Sequence, residues 1–328
     1  MTMAFPAADF TAGGGAGNAA AWRRQGGVLG VAAVLLLALF WRDSADLARI
    51  WWTSTTFGHC LFIGPVIGWL VWQRRVELAR LQPASWWPGL VLVGAGGLGW
   101  FAGDAAGVAL ARHLGLVVML QGATVTLLGP YVARGLLFPL AYAFFLVPFG
   151  ESLEGPLQSA TVAMVMPMLA LAGVPASVDG VLITIPNGYF EVAEACSGAK
   201  FVIAMIAYGT LVAHVAFVAW PRRIAFMAMA VIVPVIANGL RAFGTIYAAH
   251  LTSVEAATGV DHIIFGWVFF GLVMAAVIAI GWRWFDRDPD AAWFDPAPLQ
   301  RLPRQRIDSY VAAALVLTTA SGFVGWAG

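Results

Sequence analysis

The chain has 328 residues, of which 61% are hydrophobic and 11% charged; its mean hydropathy is +0.82 and its net charge +1. Soluble domains carry about 25% charged residues, so this composition excludes a soluble globular protein. The near-neutral balance gives nothing for nucleic acid to bind. Two cysteines make at most one bridge, which excludes a disulfide framework.

The N-terminus is small, Gly/Ala-rich and nearly uncharged, and residues 1–25 read as a flexible cytoplasmic tail. Arg23 and Arg24 followed by Val28–Phe40 imitate a signal peptide. Trp41-Arg42-Asp43 stands where small cleavage-site residues belong, so an uncleaved span is expected over Gly27–Trp41. Arg42–Trp52 reads as an interfacial helix ending in a Trp-Trp anchor, and Thr53–Trp72 as span two, closed by Arg74, Arg75 and Arg80. Span three, Trp86–Phe101, is rich in glycine, which lets helices approach closely. Span four is Gly107–Leu128, with Arg112 and His113 near its start, and span five Gly135–Phe149.

Charge asymmetry sets the orientation. Arg23/Arg24, Arg74/Arg75/Arg80 and Arg134 fall on alternate loops, hence cytoplasmic, whereas Asp104, Glu151 and Glu154 fall outside. If Leu157–Gly173 crossed, Trp220-Pro221-Arg222-Arg223 would end outside against this rule. The segment also carries Gln158, Ser159 and Thr161, and Pro167 interrupts it. It is expected to lie on the outer surface without crossing. Gly180–Ile185 alternates with β-branched residues, Pro186-Asn187-Gly188 is a turn signal and Tyr189–Val192 a return strand, which makes a small extracytoplasmic hairpin. Spans six (Gly198–Ala219), seven (Ile224–Ala248) and eight (Ile263–Trp282) follow. The expected fold is an all-α polytopic bundle of about eight spanning helices plus a C-terminal span. Its parts are the tail (1–25), a transmembrane catalytic domain (26–285), a Pro- and Arg-rich cytoplasmic linker (286–307) and a last transmembrane helix (308–328).

Chemistry gathers at the outer face. Arg241 lies 241 − 223 = 18 residues beyond Arg223, about 27 Å along a helix and near the far edge of a ~30 Å core. Cys196 precedes span six and His262 precedes span eight, so thiol, guanidinium and imidazole share one level. A thiolate is a nucleophile stabilised by nearby cations. His262 can take its proton and return it to a leaving amine, and Arg241 can hold an oxyanion. The plainer alternatives are a snorkelling arginine and a helix-capping histidine. Asn238, one turn before Arg241, can orient the guanidinium.

Phe190-Glu191-Val192-Ala193-Glu194-Ala195-Cys196-Ser197-Gly198, Ala237-Asn238-Gly239-Leu240-Arg241 and His262 together resemble the exosortase family, most closely its exosortase A branch, over roughly Trp51–Trp284. Thr56-Phe57-Gly58-His59, Val147-Pro148-Phe149-Gly150 and the Asn187-Gly188 turn are weaker matches. The resemblance implies a membrane-embedded cysteine protease or transpeptidase of the bacterial inner membrane, its site facing the periplasm. Its implied substrates are exported proteins bearing a C-terminal PEP-CTERM signal: a Pro-Glu-Pro motif, a transmembrane helix and a basic tail. Family members occur in bacteria that make exopolysaccharide. The nucleophile, cation and acid/base roles carry over to Cys196, Arg241 and His262. Some relatives carry a further extracytoplasmic domain after a last span. This chain stops at Gly328, so that domain is expected to be absent or removed, and is a companion beyond the C-terminus.

Other residues have two readings. Arg112 reads the substrate glutamate or pairs with Asp104 or a neighbouring helix. Glu194 tunes the site or contacts substrate, or it solvates the hairpin. Ser197 supports the nucleophile. His59, about two turns inside span two, is a supporting residue or simple packing, and neighbouring Cys60 reads as packing. No zinc motif or P-loop occurs and no cofactor is called for; membrane lipid is the other expected partner. The rival functions are a transporter lined by Arg241, Arg112 and His262, and an export scaffold with an inert Cys196.

Overall fold

A computed structural model describes residues 13–192, 197–252, 261–288 and 291–327. In chain order its helices are α1 (Gly13–Leu39), α2 (Trp41–Thr53), α3 (Cys60–Gln73), α4 (Arg75–Ala79), α5 (Leu90–Ala105), α6 (Ala109–Leu128), α7 (Pro130–Gly135) and α8 (Leu137–Tyr142). Then come α9 (Glu154–Leu171), strands β1 (Ser177–Asp179), β2 (Leu182–Ile185) and β3 (Gly188–Glu191), and helices α10 (Ala199–Ala216), α11 (Trp220–Leu251), α12 (Asp261–Trp282) and α13 (Ser309–Ala327). Among the described residues four helices are long and apolar enough to cross a membrane: Gly17–Leu39, Ala109–Leu128, Ala199–Ala216 and Trp220–Leu251. Cys60–Gln73, Leu137–Leu146, Val268–Trp282 and Ser309–Gly325 are apolar but shorter.

The chain forms two compact units. One comprises the described residues up to Trp52, Cys60–Pro148 and those from Ala292 onward; the other comprises Thr53–His59 and Phe149–Ala291.

In the first unit α5 and α6 form a tight antiparallel pair. A β-carbon on Gly96 would stand 2.7 Å from Met119 N, and one on Gly115 would stand 2.6 Å from Gly96 O. The two backbones therefore touch, as the glycine-rich sequence predicts. Leu36, Phe40, Val93, Leu116, Met119 and Val316 bring α1 and α13 onto this pair.

Three expectations change here. The stretch read as a flexible tail becomes helical from Gly13, because Trp22 Nε1 donates to Leu81 O (2.9 Å) and Gln25 Oε1 accepts from the Ser85 hydroxyl (3.1 Å). Span two does not start at Thr53. The Ser54 hydroxyl accepts from the N–H groups of Thr56 and Phe57, a local turn that competes with helix, and α3 begins only at Cys60. Span five breaks at Gly135–Leu136 and tightens into a 3-10 turn over Ala143–Leu146. From Ala292 onward the chain packs within this unit: Trp293 stacks on the Arg74 guanidinium at 4.0 Å, Leu299 is buried, and Ile307 N donates to Ser85 O.

In the second unit α9 runs unbroken through Pro167. Proline there removes one backbone hydrogen bond, but the fully buried Val165 and Leu169 hold the turn in place. The sheet is an antiparallel meander with order β1-β2-β3, pairing Ser177 with Thr184 and Ile185 with Gly188. The expected hairpin is present as β2–β3, and β1 adds a third strand. Ile183 and Ile185 point inward with Val192, onto Val165 and Leu169 of α9 and Ile246 of α11. Asn187 in the β2–β3 turn donates to Ala249 O and His250 O, satisfying carbonyls at the end of α11.

Three aromatic contacts set the order of α10–α12. Phe201 stacks on Phe270 at 4.9 Å, and Phe217, just beyond α10, meets Phe285, just beyond α12, at 5.1 Å. The helices α10 and α12 are therefore parallel. Phe217 also meets Phe226 near the start of α11 at 5.3 Å, so α11 runs antiparallel between them. The Asp286 carboxylate ties this end by accepting from Val218 N (2.7 Å) and Ala219 N (3.3 Å) and pairing with Arg222 (3.3 Å). Those N–H donors, Val218 first, hold its carboxyl below the usual carboxylate range.

Candidate active site

The end of this bundle opposite Asp286 carries the starts of α10 and α12 and the later turns of α11. Arg241 lies there on α11, with its guanidinium carbon 5.6 Å from the centre of the Phe201 ring. Guanidinium over an aromatic face is attractive at that range. Lys200 approaches the same ring, with Nζ at 5.3 Å from its centre. His262 is the second residue of α12, at the end of that helix nearest Arg241, eight residues before Phe270. That is about 12 Å along the axis. Its side chain lies outside the described residues. So do Cys196 and Glu194, which fall within 193–196.

The chain is described on both flanks of that segment. Val192 N donates to Val181 O, carrying the sheet pairing one residue past β3. Downstream, Ser197 is buried and its hydroxyl accepts from Ala199 N (3.1 Å), closing the first turn of α10. Gly198 has φ +80°, the left-handed region that penalises a side chain. It also packs directly on Asn238: a β-carbon at 198 would stand 2.7 Å from Asn238 Cγ and 2.9 Å from its Nδ2. Asn238 is 1% exposed and donates to the Thr161 hydroxyl at 3.2 Å. Asn238 and Arg241 are three residues apart on α11 and so share a face. The structure thus brings together Ser197, Gly198, Asn238, Phe201 and Arg241, with the starts of α10 and α12 at the same end. It adds Gln158 and Thr161 of α9, which sequence reasoning used only as evidence against a crossing. Their signal was polarity inside an otherwise apolar segment.

Gly198→Ala tests this packing. Left-handed strain of about 1–2 kcal/mol adds to an overpacking cost of about 1–3 kcal/mol. The expected result is a clear drop in thermal midpoint, read by thermal unfolding in detergent. An unchanged midpoint would refute the close approach to Asn238.

Two other candidates are described by their own contacts. Arg112 belongs to the first unit, where its Nε donates to Asp43 Oδ1 at 2.9 Å and Nη1 lies 3.9 Å from Asp104. Asp43, 5% exposed, also accepts from Trp100 Nε1 at 2.8 Å. Pairing with Asp104 and a neighbouring helix is therefore what Arg112 does in this structure. His113 beside it is buried, with Nε2 3.2 Å from Asp46 Oδ2. His59 does not lie inside a helix. It closes the turn before α3, with Nδ1 3.1 Å from Thr56 O. Cys60 is buried at the first position of α3, in keeping with packing. Among the described residues no group of His, Cys, Asp and Glu could hold a metal ion.

The family model described as transmembrane exosortase (Exosortase_EpsH) matches residues 51–279. The chain belongs to the transmembrane exosortase family. That match takes in every helix and strand from α3 to the start of α12, and it ends inside α12. No curated protein and no solved structure matches this exosortase. With its several apolar helices it is a multi-pass membrane protein.

Proposed function

We propose that this exosortase is a cysteine peptidase or transpeptidase that removes C-terminal sorting signals from exported proteins. The observation that supports this best is the meeting of Arg241 with the starts of α10 and α12 at one end of the bundle. Cys196 is the nucleophile: its Sγ bonds to the scissile carbonyl carbon while His262 takes the thiol proton. The carbonyl oxygen becomes an oxyanion beside Arg241. Collapse breaks the C–N bond, His262 protonates the leaving amine, and an acyl thioester remains. Water or another amine then releases the acyl group.

The substrate signal is a Pro-Glu-Pro segment, a transmembrane helix and a basic tail. Its helix lies beside the bundle with the basic tail inside, in keeping with the positive-inside rule. In this reading cleavage occurs at the periplasmic face of the inner membrane, in the service of surface-protein sorting alongside exopolysaccharide production. Asn238 and Ser197 support the site; Glu194 contacts the incoming segment.

Co-expression tests the reading. A reporter tagged on both sides of such a signal is expected to lose its C-terminal tag only when this chain is present. Mass spectrometry of the shortened product locates the cut. A reporter that keeps its tail beside well-expressed enzyme defeats the proposal.

A further inference from the structure

Residues 193–196 are bracketed by hydrogen bonds to one helix. Upstream, the Gln158 amide donates to Val192 O at 2.9 Å. Downstream, the Thr161 hydroxyl donates to Ser197 O at 3.5 Å and accepts from Asn238 Nδ2 at 3.2 Å. Gln158 and Thr161 stand three residues apart on α9 and so face the same way. Thr161, Ser197 and Asn238 are each at most 2% exposed, so water does not compete for these bonds. A hydroxyl has one proton to give. Accepting from Asn238 leaves that proton for Ser197 O. The result is a directional chain from α11, which bears Arg241 one turn on, through α9, to the backbone next to Cys196. Valine would fill the volume of Thr161 equally well, so packing alone does not call for a hydroxyl here.

We propose that Gln158 and Thr161 are positioning residues that hold Val192 and Ser197, the described neighbours of residues 193–196, and thereby set the reactivity of Cys196. The inference rests on the peptidase reading above. Bonding Val192 and Ser197 to one helix keeps these two backbone groups in register with groups carried on other helices. Displacement of reacting atoms by about 1 Å can cost about 10²-fold in rate.

The test uses the full chain in membranes, in a Cys60→Ala background so that Cys196 is the single thiol. Two quantities are read: the rate of Cys196 alkylation by iodoacetamide across pH, and kcat and KM for the tagged substrate. Thr161→Val is expected to lower kcat about tenfold or more with KM within about twofold, and to move the pH midpoint of alkylation. Thr161→Ser is expected to restore both. Gln158→Met is expected to act in the same direction, and it decides the matter if Thr161→Val does not accumulate. The proposal is overturned if the folded variants keep wild-type kcat and alkylation profile and lose only thermal stability. Failure of the peptidase reading shows separately, as processing that survives Cys196→Ala. The alkylation profile reports the geometry of the loop whether or not the chain cleaves a peptide.

Discussion

Cys196→Ala is expected to abolish removal of the sorting signal, with processing falling at least about 10³-fold below wild type at equal protein level. The reasoning is chemical. The proposed reaction passes through a bond between sulfur and the acyl carbon, and alanine cannot form it. Cys196→Ser is expected to fail almost as completely, because a hydroxyl holds its proton far more tightly than a thiol and His262 is matched to the thiol. Two measurements check the result. Immunoblotting follows the uncut tail in the variant. In the wild type, a substrate stalled by rapid acid quench is expected to leave an adduct on the peptide containing Cys196, released by hydroxylamine as a thioester would be. Processing that continues in stably made Cys196→Ala would end the peptidase reading and leave an export scaffold as the better account.

Arg241→Ala is expected to lower the processing rate by about 10²–10³, the usual cost of losing one oxyanion donor. Arg241→Lys is expected to recover only part of this. Lysine keeps the charge but not the planar fork, and it loses stacking over the Phe201 ring. The side chain sits one turn beyond buried Asn238, on the helix face that also meets Gly198. A guanidinium held in this way costs little to reorganise when charge develops. Initial rates for the two variants, with thermal midpoints taken in parallel, separate catalysis from stability. A rate within about threefold of wild type for folded Arg241→Ala would remove this residue from the mechanism.

Part of the fold around the candidate site was legible in the sequence. The spacing from Arg223 to Arg241 could be converted to a length along a helix because α11 is one uninterrupted helix over that range, Pro234 included. The β2–β3 hairpin was legible because its residues alternate and Asn187-Gly188 marks its turn. Strand β1 has only three residues, all exposed, and gives no periodic signal. Helix boundaries failed where side chains outcompeted hydropathy. At Ser54 a hydroxyl captures two backbone N–H groups inside an apolar run, and at Trp22 and Gln25 long-range hydrogen bonds order a stretch that looks like a tail. Such bonds join residues about sixty positions apart, beyond the reach of any local pattern. The same holds for Thr161, which a window of sequence shows as one polar residue and the fold shows as a bridge between α11 and the backbone beside Cys196.

The tie at Asp286 has a mechanical consequence. The carboxylate binds the backbone between α10 and α11, Arg222 and Arg223 close over the same junction, and the Phe217 ring is wedged between Phe226 and Phe285. Three helices fastened in this manner at one end behave like the legs of a tripod. Any thermal spreading is smallest at the fastening and largest at the feet, where Arg241 and the starts of α10 and α12 lie.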